Sequence, residues 1–226
     1  MIIKVCGMRE PENIRAVSEL GVDMIGFVFY RNSPRYVSSV PSHVGLLPDY
    51  ASISETESAA RHNPLKVGVF MNEMPQNIIT MAYNYKLDYI QVHGMNDEVM
   101  IDNLRRTLDG DIRPGIKFIK AIGISDICDI GMWRKYKGIA DLLLFHTKNR
   151  ACYNDEIKFD WSLLDSYDGD IPFIIGGGIG PEDAEALLSL NHPMLTGVDI
   201  NSCFESSPAV KDISLLEPFV SKIRNR

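Results

Sequence analysis

The sequence lacks several features that would place it in other classes of protein. No apolar run approaches the roughly 20 residues that a transmembrane helix needs. The four cysteines, Cys6, Cys128, Cys152 and Cys203, lie far apart and form no CxxC motif or Cys/His cluster, so no disulfide framework or metal centre is predicted. Asp and Glu outnumber Lys and Arg by 30 to 23, and the net charge of -7 argues against nucleic acid or an anionic membrane surface as a partner.

The chain also lacks the signals that separate or export domains. It has no linker rich in Pro, Gly or Ser and no low-complexity tract, so we expect a single domain over residues 1–226. Residues 1–5 enter a strand-like pattern directly and do not resemble a signal peptide. We therefore expect a cytoplasmic protein with reduced thiols. The 45% of hydrophobic residues indicates a globular chain with a sizeable core.

Short apolar runs alternate with longer amphipathic segments along the chain. The predicted strands cover residues 2–6, 24–29, 65–71, 89–93, 116–122, 142–146, 173–175 and 195–200. The predicted helices cover residues 11–20, 75–85, 97–108, 125–136, 161–167, 181–190 and 213–224. Continuous apolar strands separated by helices are typical of a parallel sheet that is covered on both faces.

Eight such strands in about 225 residues predict a single α/β domain, a (β/α)8 TIM barrel. A doubly wound open sheet is the alternative, because periodicity alone does not close a sheet. The segment 40–64 contains three prolines and a polar run, and predicts a short or irregular second helix with a surface loop.

The carboxyl ends of the predicted strands carry polar and reactive side chains. Cys6, His93, His146 and Asp199 each lie at such an end, where the active site of a barrel of this kind is built. The stretch 170–182 adds three consecutive glycines between a buried strand and Pro181. Glycines there allow backbone N–H groups to approach an anion such as a phosphate, although a tight turn that needs positive φ explains them equally well.

Eight different short motifs follow one another along nearly the whole chain. They are Lys4-Val5-Cys6-Gly7-Met8-Arg9, Gly26-Phe27-Val28-Phe29, Ser33-Pro34-Arg35-Tyr36-Val37, Val67-Gly68-Val69-Phe70, Ile90-Gln91-Val92-His93-Gly94, Phe159-Asp160-Trp161, Gly177-Gly178-Ile179 and Gly197-Val198-Asp199. In this order and spacing the chain resembles phosphoribosylanthranilate isomerase of tryptophan biosynthesis.

The resemblance implies a (β/α)8 barrel that performs an Amadori rearrangement without a metal or cofactor. N-(5'-phosphoribosyl)anthranilate, a small-molecule phosphosugar, becomes 1-(2-carboxyphenylamino)-1-deoxyribulose 5-phosphate. An acid opens the sugar ring by protonating its oxygen, and a base then removes the proton from C2'. Cys6 matches the base, and Lys4 lies on the same face of the strand.

The resemblance also assigns the residues that bind the substrate. Arg35 matches a clamp for the anthranilate carboxylate, for which a guanidinium fork is well suited. Gly177 and Gly178 match the phosphate-binding turn, and Asn201 and Ser202 follow the eighth strand where a short helix supplies further N–H donors. His93 is expected to have a structural or supporting role.

The chain departs from the family pattern on one side of the site. The family's acid is an aspartate followed by threonine at the end of the sixth strand, whereas this chain has His146 followed by Thr147. The loop 149–158 has no glycine, although the family's loop is rich in it. Three interpretations follow: His146 acts as the acid, the chain is a weakened isomerase, or the pocket now serves as a phosphosugar sensor. Asp155 or Glu156 taking over the acid role is a fourth possibility.

We expect a phosphoribosylanthranilate isomerase that acts as a monomer or weak homodimer, with Cys6 and His146 as its catalytic residues. The alternatives are a diverged phosphosugar isomerase and a phosphosugar-binding protein of the same fold without turnover.

Overall fold

The computed structural model describes residues 1–38, 63–94, 98–148 and 157–225. Most of the segment 40–64 and of the loop 149–158, including Asp155 and Glu156, lies outside the described residues. Within those ranges, no helix combines the length and the apolar character that a membrane crossing requires.

Eight parallel strands close into a barrel. The strands are β1 (Ile2–Val5), β2 (Met24–Val28), β3 (Leu65–Met71), β4 (Tyr89–His93), β5 (Lys117–Ile124), β6 (Leu142–Thr147), β7 (Phe173–Gly176) and β8 (Leu195–Ile200). Each strand pairs with the next, and β1 pairs with β8 with Lys4 opposite Asp199. The predicted barrel is confirmed, and the open-sheet alternative is wrong because β1 and β8 are joined.

The two faces of the barrel wall bury different side chains. An interior cluster fills the barrel and consists of Met24, Val67, Tyr89, Ile119, Ala121, Leu142, Leu144 and Ile174. The larger cluster between the sheet and the helices includes Ile3 and Val5. Because side chains alternate along a strand, Lys4 and Cys6 point into the barrel, as does His146 two residues after Leu144. The fold therefore directs the candidate catalytic side chains into the mouth.

The helices surround the barrel. The α-helices are Pro11–Glu19, Pro75–Asn84, Glu98–Thr107, Ile127–Ile130, Ala184–Ser189 and Ile213–Arg224. A π-helical turn at Leu108–Ile112 directly follows the helix Glu98–Thr107. The 3₁₀ helices are Gly131–Tyr136, Trp161–Ser166, Pro181–Asp183 and Ser202–Phe204. A short antiparallel pair, β9 (Glu205–Ser207) and β10 (Val210–Lys211), follows the barrel. The final predicted helix, 213–224, is confirmed at both ends.

Three predicted helices differ from the structure in type. The segment 125–136 is one turn of α-helix followed by a 3₁₀ helix that starts at Gly131. Asp126 and Asp129 form a capping box at its start, and glycine then disfavours continuation of the α-helix. The segment 161–167 is a 3₁₀ helix. The segment 181–190 begins with one 3₁₀ turn before its α-helix, which is only six residues long.

Candidate active site

Two adjoining cavities open at the carboxyl ends of the strands. The larger has a volume of about 470 Å³ and is bordered by Arg35, Lys120 and Tyr136. The smaller, of about 180 Å³, is bordered by Cys6 and the glycine turn. His93, His146, Asn201, Ala121, Val28 and Val69 line both cavities. The seven predicted site residues, Cys6, Arg35, His146, Gly177, Gly178, Asn201 and Ser202, all line one or both of them.

Cys6 lies at the end of β1 beside a buried ion pair. Its backbone N–H donates to the Ile200 carbonyl at 2.9 Å, which continues the pairing of β1 with β8. Lys4 Nζ donates to Asp199 Oδ1 at 2.8 Å, and the Lys4 side chain is fully buried. A Cβ at Gly26 would lie only 2.8 Å from Cys6 Sγ and 3.3 Å from Lys4 Nζ, so the glycine makes room for both groups.

Burial raises the pKa of the Cys6 thiol, and the positive charge of Lys4 opposes that rise. Burial alone would lower the pKa of Lys4, but Asp199 and Cys6 raise it above its ordinary value. The resting Cys6 is therefore a thiol next to a permanent ammonium, and this ammonium favours the thiolate when the proton leaves.

Arg35 is held by Glu205, a residue from a distant part of the sequence. The guanidinium Nε donates to Glu205 Oε1 at 2.9 Å and its second nitrogen to Oε2 at 2.7 Å, a bidentate pair. Lys211 Nζ donates to the same carboxylate and, at 2.8 Å, to Asn201 Oδ1. Burial favours the neutral carboxyl, but the Arg35 hydrogen bond and the Lys211 charge lower the pKa of Glu205. Arg35, 8% exposed, is thus oriented before any substrate arrives.

Gly177 and Gly178 turn the chain away from β7 with φ of +87° and +65°. A Cβ at Gly177 would lie 2.8 Å from both the backbone nitrogen and Oγ1 of Thr147, so no larger residue fits beside β6. Two residues after Gly178, the Gly180 N–H donates to Asp183 Oδ2 at 2.7 Å and is committed to the turn. The glycine turn presents backbone, without side chains, to the cavity that contains Cys6.

Ser202 begins the 3₁₀ helix that follows β8, and Asn201 is the residue just before it. Gly7, with φ of +76°, lies between Asn201 and Arg35: a Cβ there would lie 2.6 Å from Asn201 Oδ1 and from Arg35 Cδ. Asn201 therefore links the cavity bordered by Arg35 to the cavity bordered by the glycine turn.

His146 forms a ring pair with His93. The two ring centroids lie 4.5 Å apart at an angle of 73°. His146 Nδ1 lies 2.8 Å from the Thr147 carbonyl oxygen, and because a carbonyl only accepts, this nitrogen carries a proton. Burial lowers the pKa of His146. Burial also lowers the pKa of His93 to about 3, helped by the positive charge that His146 would carry when protonated and by the charge of Lys120. Both rings are neutral at pH 7, and His146 Nε2, which is buried, has no hydrogen-bond partner among the described residues.

The sequence analysis missed Glu205 and Lys120. Glu205 orients Arg35 across 170 residues of chain, and no spacing rule connects two such positions. Lys120 is 3% exposed and borders the larger cavity. A lysine within the apolar strand 116–122 was the available signal, since lysine is rarely buried without a specific reason.

Known proteins match the chain over nearly its whole length. The profile of the family described as N-(5'phosphoribosyl)anthranilate (PRA) isomerase matches residues 3–222. The N-(5'-phosphoribosyl)anthranilate isomerase of Parabacteroides distasonis is 39% identical over 223 residues, which cover 99% of this chain and 93% of that protein.

Solved structures agree with this result. Phosphoribosyl anthranilate isomerase from Thermotoga maritima superposes with a TM-score of 0.76 at 28% identity and covers 100% of both chains. A phosphoribosyl anthranilate isomerase in complex with reduced 1-(o-carboxyphenylamino)-1-deoxyribulose 5-phosphate superposes with a TM-score of 0.73 at 26% identity, again over 100% of both chains. Together, the profile match and the identity to a full-length relative show that the chain belongs to the N-(5'-phosphoribosyl)anthranilate isomerase family.

Proposed function

We propose that Cys6, His146 and Arg35 serve the isomerisation of N-(5'-phosphoribosyl)anthranilate, the reaction of this family in tryptophan biosynthesis. The chain is an isomerase that converts this aminoaldose into 1-(2-carboxyphenylamino)-1-deoxyribulose 5-phosphate. One observation carries the assignment of roles: Cys6 from β1 and His146 from β6 line the same cavity as Gly177 and Gly178. A phosphosugar held at the glycine turn lies between Cys6 and His146.

Cys6 is the proposed base. It removes the proton from C2' once the sugar ring has opened to the Schiff base, a step that needs the thiolate. Lys4 stays protonated because Asp199 holds it at 2.8 Å, so the new thiolate forms beside a fixed positive charge. That fixed charge offsets part of the cost of ionising a buried thiol.

The substrate's two anionic ends are proposed to bind on different sides of the mouth. The phosphate lies against the backbone of Gly177 and Gly178 and against Asn201 and Ser202, where N–H groups can face an anion. The anthranilate carboxylate lies against Arg35 in the larger cavity. Among the described residues, the buried groups Lys4, Asp199, Arg35, Glu205 and Lys211 comprise three cations and two carboxylates, which leaves a net positive charge for an anionic substrate.

His146 is a proposed catalytic residue at the position of the family's acid. The neutral ring, with its proton on Nδ1, faces the reacting sugar as a polar group on the wall opposite Cys6. In this form it contributes shape and a lone pair at Nε2 and carries no transferable proton toward the substrate.

We further propose that residues 1–226 act as one domain, in the cytoplasm, as a monomer or weak homodimer. The composition supports the first two statements: no linker-like tract interrupts the chain, and the cysteines show no disulfide pattern.

Turnover tests the function directly. Purified protein should convert N-(5'-phosphoribosyl)anthranilate to the deoxyribulose product, followed by chromatography, and the gene should restore growth of a tryptophan auxotroph that lacks the isomerase. The matched control is Cys6→Ser, which keeps the shape of the side chain and should neither rescue growth nor turn over. A folded wild-type protein that binds the reduced product analogue but gives no product would refute catalysis and indicate a binding protein.

A further inference from the structure

We propose that Lys120 donates the proton that opens the sugar ring. This inference rests on the isomerase function proposed above and names a residue that the family motifs do not assign. It starts from a chemical requirement: ring opening needs a protonated group within reach of the ring oxygen of the sugar. His146 does not meet that requirement in the resting protein, because its Nδ1 proton is bound to the Thr147 carbonyl and its Nε2 carries none.

Lys120 reaches the mouth from the outer side of β5. It lies between the interior residues Ile119 and Ala121, so its side chain leaves the strand on the face that the helices cover. From there it extends to the carboxyl end of the sheet, where Nζ donates to the Gly94 carbonyl at 3.2 Å. The ammonium also lies 5.0 Å from the centre of the Tyr136 ring. Both contacts hold the charged group at the rim of the larger cavity, which His146 also lines.

The groups around Lys120 make it the proton carrier of this wall. His93 on β4 and His146 on β6 are neutral, and the charge of Lys120 is one of the causes that lower the pKa of each. Tyr136 packs against it. Among the described residues that line the larger cavity, Asp129 and Lys148 are also charged, and they pair with each other at 2.6 Å.

Burial lowers the pKa of Lys120 to about 8. About nine tenths of it is therefore protonated at pH 7, yet it is a stronger acid than an ordinary lysine by roughly two orders of magnitude. This combination, a group that is mostly protonated at neutral pH and has a pKa close to it, is what general acid catalysis requires.

The proton transfer balances as follows. The Lys120 ammonium gives one proton to the ring oxygen of the ribose, and the C1'–O4' bond breaks with its electron pair on that oxygen, which becomes the 4'-hydroxyl. The lone pair of the anilino nitrogen forms the C1'=N double bond, so the positive charge that leaves Lys120 appears on the iminium. Cys6 first loses its own proton to solvent, and the resulting thiolate then takes the C2' proton from this cation, which leaves a neutral enolamine and the Cys6 thiol. The Lys120 amine regains its proton from solvent.

The test is the pH dependence of kcat/KM from pH 5.5 to 9.5 for the wild type, Lys120→Met, Lys120→Arg and His146→Asn. For the wild type, log(kcat/KM) should change slope near pH 8, and the substrate phosphate adds a change near 6 in every variant. Lys120→Met should lose roughly 100- to 10,000-fold in kcat together with the change of slope near 8. Lys120→Arg keeps the positive charge but is too weak an acid, so kcat should fall while KM stays near the wild-type value. His146→Asn should keep the slope change near 8.

Thermal melts and binding of the reduced product analogue show whether each variant is folded and holds the ligand. The proposal is overturned if the slope change near 8 survives in Lys120→Met. It is also overturned if Lys120→Met raises KM and leaves kcat unchanged, because Lys120 would then be a substrate-binding cation. A third contrary result is a wild-type slope change below pH 6.5 that disappears only in His146→Asn. Wild-type turnover judges the proposed function by itself, and the ratio of each variant to the wild type judges Lys120, so the two can fail separately.

Discussion

The buried pair between Lys4 and Asp199 provides a sharp test of how the site is stabilised, through the substitution Lys4→Met. The side chain of Lys4 is fully buried, and that of Asp199 is 11% exposed at the cavity wall. Removing one partner of a buried ion pair costs about 3–5 kcal/mol, because the other charge stays behind in a poorly solvated place. Since Asp199 borders a cavity that water can enter, we expect the lower end of that range, about 3 kcal/mol. For a domain of this size, that loss lowers the melting temperature by about 6–12 °C.

The same substitution should change the chemistry of Cys6. The charge of Lys4 lowers the pKa of the thiol, whereas Asp199 raises it, so Lys4→Met removes the favourable influence and leaves the unfavourable one. The rate of alkylation of Cys6 by iodoacetamide, measured against pH with the other three cysteines replaced by serine, should shift to higher pH. The double variant Lys4→Met/Asp199→Asn should recover much of the lost stability, because it removes the stranded charge.

A surface pair serves as the matched control. Lys222 and Glu185 form an ion pair at 2.7 Å, but their side chains are 49% and 81% exposed. Lys222→Met should therefore leave the melting temperature nearly unchanged, because an exposed ion pair contributes little to stability. The reasoning is refuted if Lys4→Met and Lys222→Met lower the melting temperature equally, or if the pH dependence of Cys6 alkylation is the same with and without Lys4.

Three further predictions concern Cys6, Arg35 and His93. Cys6→Ser should lower kcat by at least about 100-fold, because a serine hydroxyl does not ionise near neutral pH, while binding of the reduced product analogue persists; near-normal turnover contradicts the base. Arg35→Lys keeps the charge but loses the bidentate fork to Glu205, so KM should rise about tenfold, and an effect on kcat alone contradicts the clamp. His93 has a pKa of about 3 when folded and near 6.5 when unfolded, so the unfolded state binds the extra proton between these values. The contribution of His93 to the free energy of unfolding is fully present above about pH 6.5 and falls by up to ~1.4 kcal/mol per pH unit below it. His93→Gln should flatten this pH dependence of the free energy of unfolding, measured by urea titrations. An unchanged pH dependence argues against the buried neutral ring.

Local sequence patterns predicted the strands well for a physical reason. A strand buried on both faces reads as a continuous apolar run, so 65–71, 89–93 and 195–200 were predicted at both ends and the other five within two residues. The segment 125–136 was predicted as one helix and is two short ones, because Asp126, Asp129 and Gly131 decide its course through local hydrogen bonds and low helix propensity.

The contacts between distant residues escaped prediction. In the closed barrel, β2 and β8 are the two neighbours of β1. Arg35, which follows β2, and Glu205, which follows β8, therefore come close enough to pair. The position of Lys120 Nζ depends on Gly94 and Tyr136, which come from two other parts of the chain. The motifs identified which residues reach the mouth, whereas the protonation of each residue depends on neighbours that only the fold brings together.

The histidine at position 146 and the pKa of Lys120 are linked by charge. The resemblance seen in the sequence implies an aspartate at this position in the family, and a carboxylate on the same cavity wall would favour the ammonium of Lys120 and raise its pKa. The neutral ring of His146 has no such effect, so burial sets the pKa of Lys120 at about 8. His146→Asp should therefore move the slope change in log(kcat/KM) above pH 8 and raise the pKa of His93 as well, which the urea titration against pH measures. If the aspartate itself becomes the acid, Lys120→Met in the His146→Asp background should retain most of its activity, whereas the same substitution in the wild type does not. A slope change that stays near 8 after His146→Asp would contradict the electrostatic link between the two residues.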